Sequence, residues 1–235
     1  MPMFNPREAL NDVAFMTAGF EIVSSVLDRS EVVCIGDALD GDTIARSRAG
    51  ARHLMRHPVV DRVARDPRLV AIASRAITAS AIPFRATLFD KSADSNWLVA
   101  WHQDTALPLR ERRDARGWGP WSVKAGVTYA HAPASALGRI VALRLHIDES
   151  RSDNGPLRVL PGTHMRGVLS DAELASLARD VDAVDCVSAV GGVVAMRPIL
   201  VHASSKAESS DPRRVLHIEY ADSLDMEAGL ELAIA

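Results

Sequence analysis

A chain of 235 residues, 48% of them hydrophobic, has enough apolar surface for one well-buried core and is short for two full domains, so a single domain over residues 1–235 is expected. A formal charge of -3 leaves no global basic excess of the kind that nucleic-acid or anionic-membrane binding requires, which makes a small molecule the expected partner. The opening Met1-Pro2-Met3-Phe4-Asn5-Pro6 lacks the basic and apolar segments of a secretory signal and no apolar run could span a bilayer, so a cytoplasmic location is expected.

In chain order, apolar residues recur at three- and four-residue spacing through Ala9 to Met16 and again through Ile44 to Leu54, which predicts helices in both stretches. A short strand is expected around Phe20 to Val26. Asp66-Pro67 sets an N-cap before a proline at the first helical position and predicts a helix from Pro67 to about Ala79. From Ile82 the texture changes to short apolar or alternating runs divided by Gly, Pro, Asp and Asn: Phe84 to Phe89, Trp97 to Trp101, Ile140 to Ile147, Leu157 to Leu160, Gly192 to Met196 and Arg213 to Tyr220. These predict strands. One helix interrupts them, opened by the capping box Ser170-Asp171-Ala172-Glu173. Arg110 to Pro133 is poor in strand pattern and is expected to be a lid or a surface loop.

Helices first and many short strands afterwards point to an antiparallel sandwich or barrel with helices on one outer face. Cys34 and Cys186 are far apart and form no C-x-x-C pair, so neither a disulfide framework nor a thiolate metal site is expected, and both should be small core residues.

Trp101-His102-Gln103-Asp104 carries the first chemical signal, because residues two apart in a strand share a face and deliver an imidazole and a carboxylate together. His202 closes the apolar segment Val193 to Val201 and supplies a candidate third ligand. Two histidines and one carboxylate form a facial triad that leaves positions open on iron(II). A lone His-x-Asp arises often by chance; here both histidines terminate apolar runs, and Arg213 and Arg214 open a strand after the polar turn Ser204 to Pro212. A buried guanidinium there could bind a carboxylate through two parallel hydrogen bonds. Strand alternation lets only one of the two arginines face inward, and the apolar parity of Leu216, Ile218 and Tyr220 puts Arg214 on the outer face.

Blander readings fit most other candidates. His164 is expected to stabilise its turn, and His131, His146 and His217 to be satisfied structural residues. Arg110, Arg112, Arg113, Arg116 and Lys124 could bind an anionic substrate or form a solvated loop. Lys91 is either a turn residue or a site residue. Gly117-Trp118-Gly119-Pro120-Trp121 lacks the later residues of a phosphate loop.

Several segments in order resemble the phytanoyl-CoA dioxygenase-like family of iron(II)- and 2-oxoglutarate-dependent oxygenases. His102-Gln103-Asp104 resembles the family's first ligand pair, Asn154-Gly155-Pro156-Leu157-Arg158-Val159-Leu160-Pro161-Gly162-Thr163-His164 its turn and strand, and His202-Ala203-Ser204 its distal ligand. Arg213 falls where the family carries its co-substrate arginine, and Thr87 to Trp101 resembles the strand pair leading into the site. The resemblance implies a mainly β, cupin-like double-stranded β-helix (jelly roll) with N-terminal flanking helices. It further implies iron held by His102, Asp104 and His202, with 2-oxoglutarate and molecular oxygen as co-substrates, and hydroxylation of a small molecule with release of succinate and carbon dioxide. By family position Gln103 and Ser204 lie near the iron or the co-substrate carboxylates, and Trp121, or Trp118 in its place, walls the pocket. Two alternatives remain open at the level of sequence: a cupin-like zinc hydrolase or isomerase, and a non-catalytic ligand-binding jelly roll.

Overall fold

The computed structural model describes residues 11–41, 44–47, 50–92 and 95–235. Its helices are α1 (Asp12–Ala18), α2 (Arg29–Gly41), α3 (Pro58–Ala64), α4 (Pro67–Ile77), α5 (Ala134–Leu137) and α6 (Asp171–Asp180). The strands are β1 (Phe20–Val23), β2 (Gly50–Arg52), β3 (Ile82–Lys91), β4 (Val99–His102), β5 (Ala106–Leu109), β6 (Trp121–Lys124) and β7 (Val127–His131), then β8 (Ile140–His146), β9 (Leu157–Val159), β10 (Val184–Cys186), β11 (Val193–Met196), β12 (His202–Ser204) and β13 (Arg213–Ala221).

Pairing is antiparallel throughout. The major sheet runs β1-β11-β8-β13-β3-β2, a second sheet runs β10-β9-β12-β4, and a third runs β5-β7-β6. Together they form a double-stranded β-helix, in which the inward half of each strand's alternating side chains is available for a site.

The outward face of the major sheet explains the helices. Leu88 of β3, Leu143 and Leu145 of β8, and Leu216, Ile218 and Tyr220 of β13 join Val60, Leu69 and Ile72 of α3 and α4 in one buried cluster. Each fully buried aliphatic side chain there contributes about 1.5–3 kcal/mol relative to exposure. Tyr220 donates its hydroxyl proton to the Ala64 carbonyl, 2.9 Å away, so its one polar atom is satisfied inside that layer. The start of α4 is fixed as its sequence suggests, with the Asp66 side chain accepting from the Arg68 backbone N–H and Pro67 in the first turn. In α6 both arms of the Ser170–Glu173 capping box are formed.

Three expectations need correction. Ile44 to Leu54 forms no helix among its described residues; it contributes β2 and leads into the 3-10 turn Leu54–Arg56. Gly50 sits there at φ 116°, where a Cβ would lie 1.9 Å from the Leu88 carbonyl oxygen. The close approach of β2 to β3 therefore overrides the helical spacing. The helix in this part of the chain is instead α2, not foreseen as an element. Arg110 to Pro133 is not a plain loop, because β6 and β7 form a hairpin within it that pairs onto β5. Cys34 is exposed on α2, and only Cys186 is a core residue. The expected Ala9–Met16 helix begins outside the described residues and is observed as α1.

Candidate active site

His102 ends β4 and His202 opens β12, and the two residues are directly opposite across the β4–β12 pair. Their rings lie 4.1 Å apart between centroids, tilted by 53°. Asp104 stands just beyond β4, where its backbone N–H donates to the Pro198 carbonyl at 2.9 Å. Its carboxylate approaches Nε2 of His202 at 3.4 Å and Nε2 of His102 at 3.6 Å. One ligand atom from each residue falls within 4.8 Å of the others.

The outer nitrogens fix how these rings can act. Nδ1 of His102 lies 2.9 Å from the Ala100 carbonyl and Nδ1 of His202 lies 2.7 Å from the Leu200 carbonyl. A carbonyl only accepts, so each Nδ1 carries a proton, and each Nε2 faces Asp104, where it can share a proton with the carboxylate or offer a lone pair to a metal. Burial raises the proton affinity of Asp104, but His202 and His102 outweigh it and hold the carboxyl well below its usual range. Burial also opposes charge on His102, and the Asp104 carboxylate beside it more than compensates, so its pKa is raised. An anionic oxygen and two imidazole Nε2 atoms that can each offer a lone pair, brought together at one point, fit a facial iron(II) site.

Behind the triad lies an inner cavity of about 80 Å³, walled in part by Phe89, Trp97, Arg144, Ser204 and Arg213. Arg213 is buried on the inner face of β13, with its Nε donating to the Asn154 carbonyl at 3.2 Å. Arg144 is buried on β8, stacked over Phe89 at 5.1 Å and 3.2 Å from Nδ1 of His217. Lys91, also buried, donates to Ser204 Oγ at 2.9 Å and to the Ser205 carbonyl. Among the described residues none of these three cations forms an ion pair. Burial, and then the charge of Arg144, push Arg213 down to about 9. Burial followed by Arg213 and Arg144 pushes Lys91 down to about 8. Uncompensated buried charge of this density is costly, and an anion entering the cavity would relieve it.

In front of the triad lies an outer cavity of about 340 Å³ that shares Phe89, His102 and Asp104 with the inner one. Its floor is a buried ion pair between Arg85 of β3 and Glu219 of β13, Nη2 to Oε1 2.7 Å, with Arg85 Nη1 also donating to the Ala106 carbonyl at 2.8 Å. Its sides include Tyr129, Thr105 and His131, the last two joined at 2.6 Å.

The remaining sequence candidates divide. Ser204 lines the inner cavity, but its hydroxyl donates to the Gly155 carbonyl at 2.9 Å while accepting from Lys91. Gln103 touches the outer cavity, yet its amide is fully used: Nε2 donates to the Gly167 and Ile199 carbonyls, and Oε1 accepts from Leu169 N–H. It clamps loops around the site and has no hydrogen-bonding capacity spare on its donor side. Trp121 lines neither cavity and lies against Arg112, 5.7 Å from ring centroid to guanidinium; Trp118 is buried in a separate apolar cluster. The tryptophan in the pocket wall is Trp97. His164 bonds the Met16 carbonyl at the end of α1 rather than its own turn. His146 is buried with neither ring nitrogen partnered, and burial, then Arg144 and Arg213, push it down to about 3.

Sequence reading missed Arg144, Arg85, Trp97 and Tyr129. A signal for Arg144 was present, since it interrupts the otherwise apolar run Ile140 to Leu145, and a charge inside a buried strand needs a reason.

A jelly roll with this triad at its mouth and a cationic cavity behind it belongs to the non-haem iron- and 2-oxoglutarate-dependent oxygenases. More specifically, the chain belongs to the phytanoyl-CoA dioxygenase (PhyH) family, whose profile matches residues 17–215. No curated protein matches it in sequence. Among solved structures, EctD from S. alaskensis with bound Fe is 20% identical, with TM-score 0.71 over 94% of this chain and 79% of that one. The non-heme alpha-ketoglutarate-dependent carbocyclase SnoK from nogalamycin biosynthesis is 17% identical, with TM-score 0.71 over 94% and 87%. HygX from Streptomyces hygroscopicus with iron bound is 18% identical, with TM-score 0.65 over 93% and 89%. At these identities the likeness is one of fold.

Proposed function

We propose that this oxygenase hydroxylates a C–H bond of a small molecule, with iron(II) held by His102, Asp104 and His202 and the far carboxylate of 2-oxoglutarate held by Arg213. Iron(II) bound with 2-oxoglutarate and oxygen supplies the oxidant, and 2-oxoglutarate leaves as succinate and carbon dioxide. The protein's own residues do the positioning. The Ala100 and Leu200 carbonyls hold the two imidazoles with Nε2 inward, and Arg213 offers the free edge of its guanidinium to a carboxylate. Arg144 adds a second positive charge to the same chamber, and Lys91 holds Ser204 from behind.

The observation that carries this reading is the group of three buried cations, without an acid partner among the described residues, directly behind a His-Asp-His triad. A zinc hydrolase or a passive ligand-binding jelly roll gives those cations no task. The test is anaerobic titration of 2-oxoglutarate into iron-loaded protein, followed by admission of oxygen with a metabolite extract and mass spectrometry. Expected are succinate formed in step with oxygen use and a product heavier by one oxygen atom. A product that has lost two hydrogens without gaining oxygen would support cyclisation chemistry of the kind named for SnoK; no succinate at all would remove the co-substrate assignment.

A further inference from the structure

The outer cavity carries its own charge pattern. Arg52, at the end of β2, and Lys124, at the end of β6, both line it. Both are exposed, and among the described residues neither forms an ion pair. Lys124 is held over the Tyr129 ring at 5.0 Å, and that ring is fixed by a 2.8 Å hydrogen bond between its hydroxyl and Nε2 of His53. Arg85 lies 6.0 Å from the same ring, already neutralised by Glu219. Among the described residues the acid that lines this cavity is Asp104, whose charge belongs to the triad. Burial, then the charges of Arg52 and Arg85, lower the proton affinity of Lys124, against a smaller opposing pull from Asp104.

We infer that the primary substrate is an anion whose carboxylate or phosphate group is gripped between Arg52 and Lys124 at the mouth of the outer cavity, with its carbon body directed inward to His102 and Asp104. This rests on the function proposed above. Two exposed cations that pair with no acid among the described residues repel each other, and an oxyanion between them removes that repulsion while gaining two charge-assisted hydrogen bonds. A positive rim around a low-dielectric cavity also concentrates anions at its entrance. The cavity volume of about 340 Å³ is at the lower end for small-molecule sites, which suits a compact body. Phe89, Thr87 and Ala106 give that body an apolar wall with one hydroxyl. Of the five basic residues clustered from Arg110 to Lys124, only Lys124 lines the cavity; Arg110 pairs with Glu231, Arg113 with Glu111, and Arg112 covers Trp121.

The test uses full-length protein loaded with manganese(II) and saturated with 2-oxoglutarate, titrated calorimetrically with hexanoate, hexyl phosphate and hexan-1-ol. At least one anion should bind at least about tenfold more tightly than the alcohol, a difference worth about 1.4 kcal/mol. In the Arg52→Gln/Lys124→Gln double variant that preference should vanish, while Arg112→Gln retains it. Circular dichroism of the double variant checks that the fold persists. Whichever of hexanoate and hexyl phosphate wins names the head group. Equal binding of the alcohol and both anions, a preference kept by the double variant, or displacement of 2-oxoglutarate by the winning anion would each overturn the inference. Failure of 2-oxoglutarate to bind the manganese-loaded protein would instead remove the proposed function. The anion preference is then read from the same titrations without co-substrate, so the two failures are separable.

Discussion

The two faces of the major sheet are built from the same strands and have opposite chemistry. On β13 the outward residues Leu216, Ile218 and Tyr220 join the apolar layer beneath α3 and α4. The inward residues Arg213, His217 and Glu219 are equally buried but charged or titratable. The outer face buries groups that water rejects, and so stabilises. The inner face buries groups that water prefers, at a cost in stability that a metal and an anion can offset. The difference suggests that stability and chemistry can be altered separately by substitutions one residue apart.

The sharpest break should come at the triad. His102→Ala, Asp104→Ala and His202→Ala are each expected to abolish iron retention and turnover while leaving the far-ultraviolet circular dichroism of the native fold. Metal analysis after desalting reads the first and succinate formation the second. Normal iron content in all three variants would end the metal assignment. On the opposite face, Leu216→Ala should lower stability by about 2–5 kcal/mol, the range for truncating a buried leucine, with 2-oxoglutarate affinity unchanged in the folded fraction. Denaturant unfolding and anaerobic titration give the two numbers.

Arg213→Ala should show the reverse. Loss of the buried partner of a carboxylate is expected to weaken 2-oxoglutarate binding by about 2–5 kcal/mol. The ligand-free protein should be no less stable than wild type, because a buried charge that pairs with no acid among the described residues has been removed. A variant that loses stability and keeps its affinity would place Arg213 among structural residues.

Lys91 offers a finer separation by pH. Burial, then Arg213 and Arg144, lower it from 10.5 to about 8. Between those values the unfolded chain still binds a proton that the folded chain has released, so this group makes stability rise with pH across that window. Ligand-free wild type should therefore gain stability relative to Lys91→Met as pH climbs from about 8 to about 10.5. Parallel unfolding profiles for the two proteins would show that Lys91 is not held against its charge.

Much of this arrangement was legible in the sequence, and the limits have physical causes. Period-two alternation and turn residues located the long strands, and the parity of Leu216, Ile218 and Tyr220 assigned the facing of Arg213 and Arg214. Asp66-Pro67 and the Ser170 capping box marked two helix starts, because caps act over a few residues. Contacts between distant segments were not legible. Gly50 lies against Leu88, 38 positions on, and that approach converted an expected helix into β2. Trp97 rather than Trp121 lines the pocket for the same reason: which indole reaches the cavity depends on how β6 pairs with β7. Gln103 sits between two candidate metal ligands, but its role as a clamp follows from Gly167, Leu169 and Ile199, far along the chain.

The smallest effect expected is at Arg214, next to the residue for which one of the largest is predicted. Its guanidinium donates to both oxygens of Asp148, Nε to Oδ2 at 2.8 Å and Nη2 to Oδ1 at 2.9 Å, and it also reaches Asp40 of α2. That network ties β13 to α2 at the rim of the outer face, where Arg214 is 22% exposed and Asp40 51%. An exposed ion pair such as that with Asp40 is typically worth about 0.2–1 kcal/mol, because water and mobile ions screen it and two long side chains must be ordered, and the two-point pair with Asp148, 22% and 19% exposed, stands at the upper end of that range. Arg214→Ala should therefore cost stability on that scale, less so at high salt, and leave 2-oxoglutarate affinity within about twofold of wild type. The measurement is the same anaerobic titration used for Arg213→Ala, run side by side. If Arg214→Ala weakened co-substrate binding more than Arg213→Ala, the strand's facing in the working enzyme would be the reverse of the one described, and the division of labour between the two faces would fall with it.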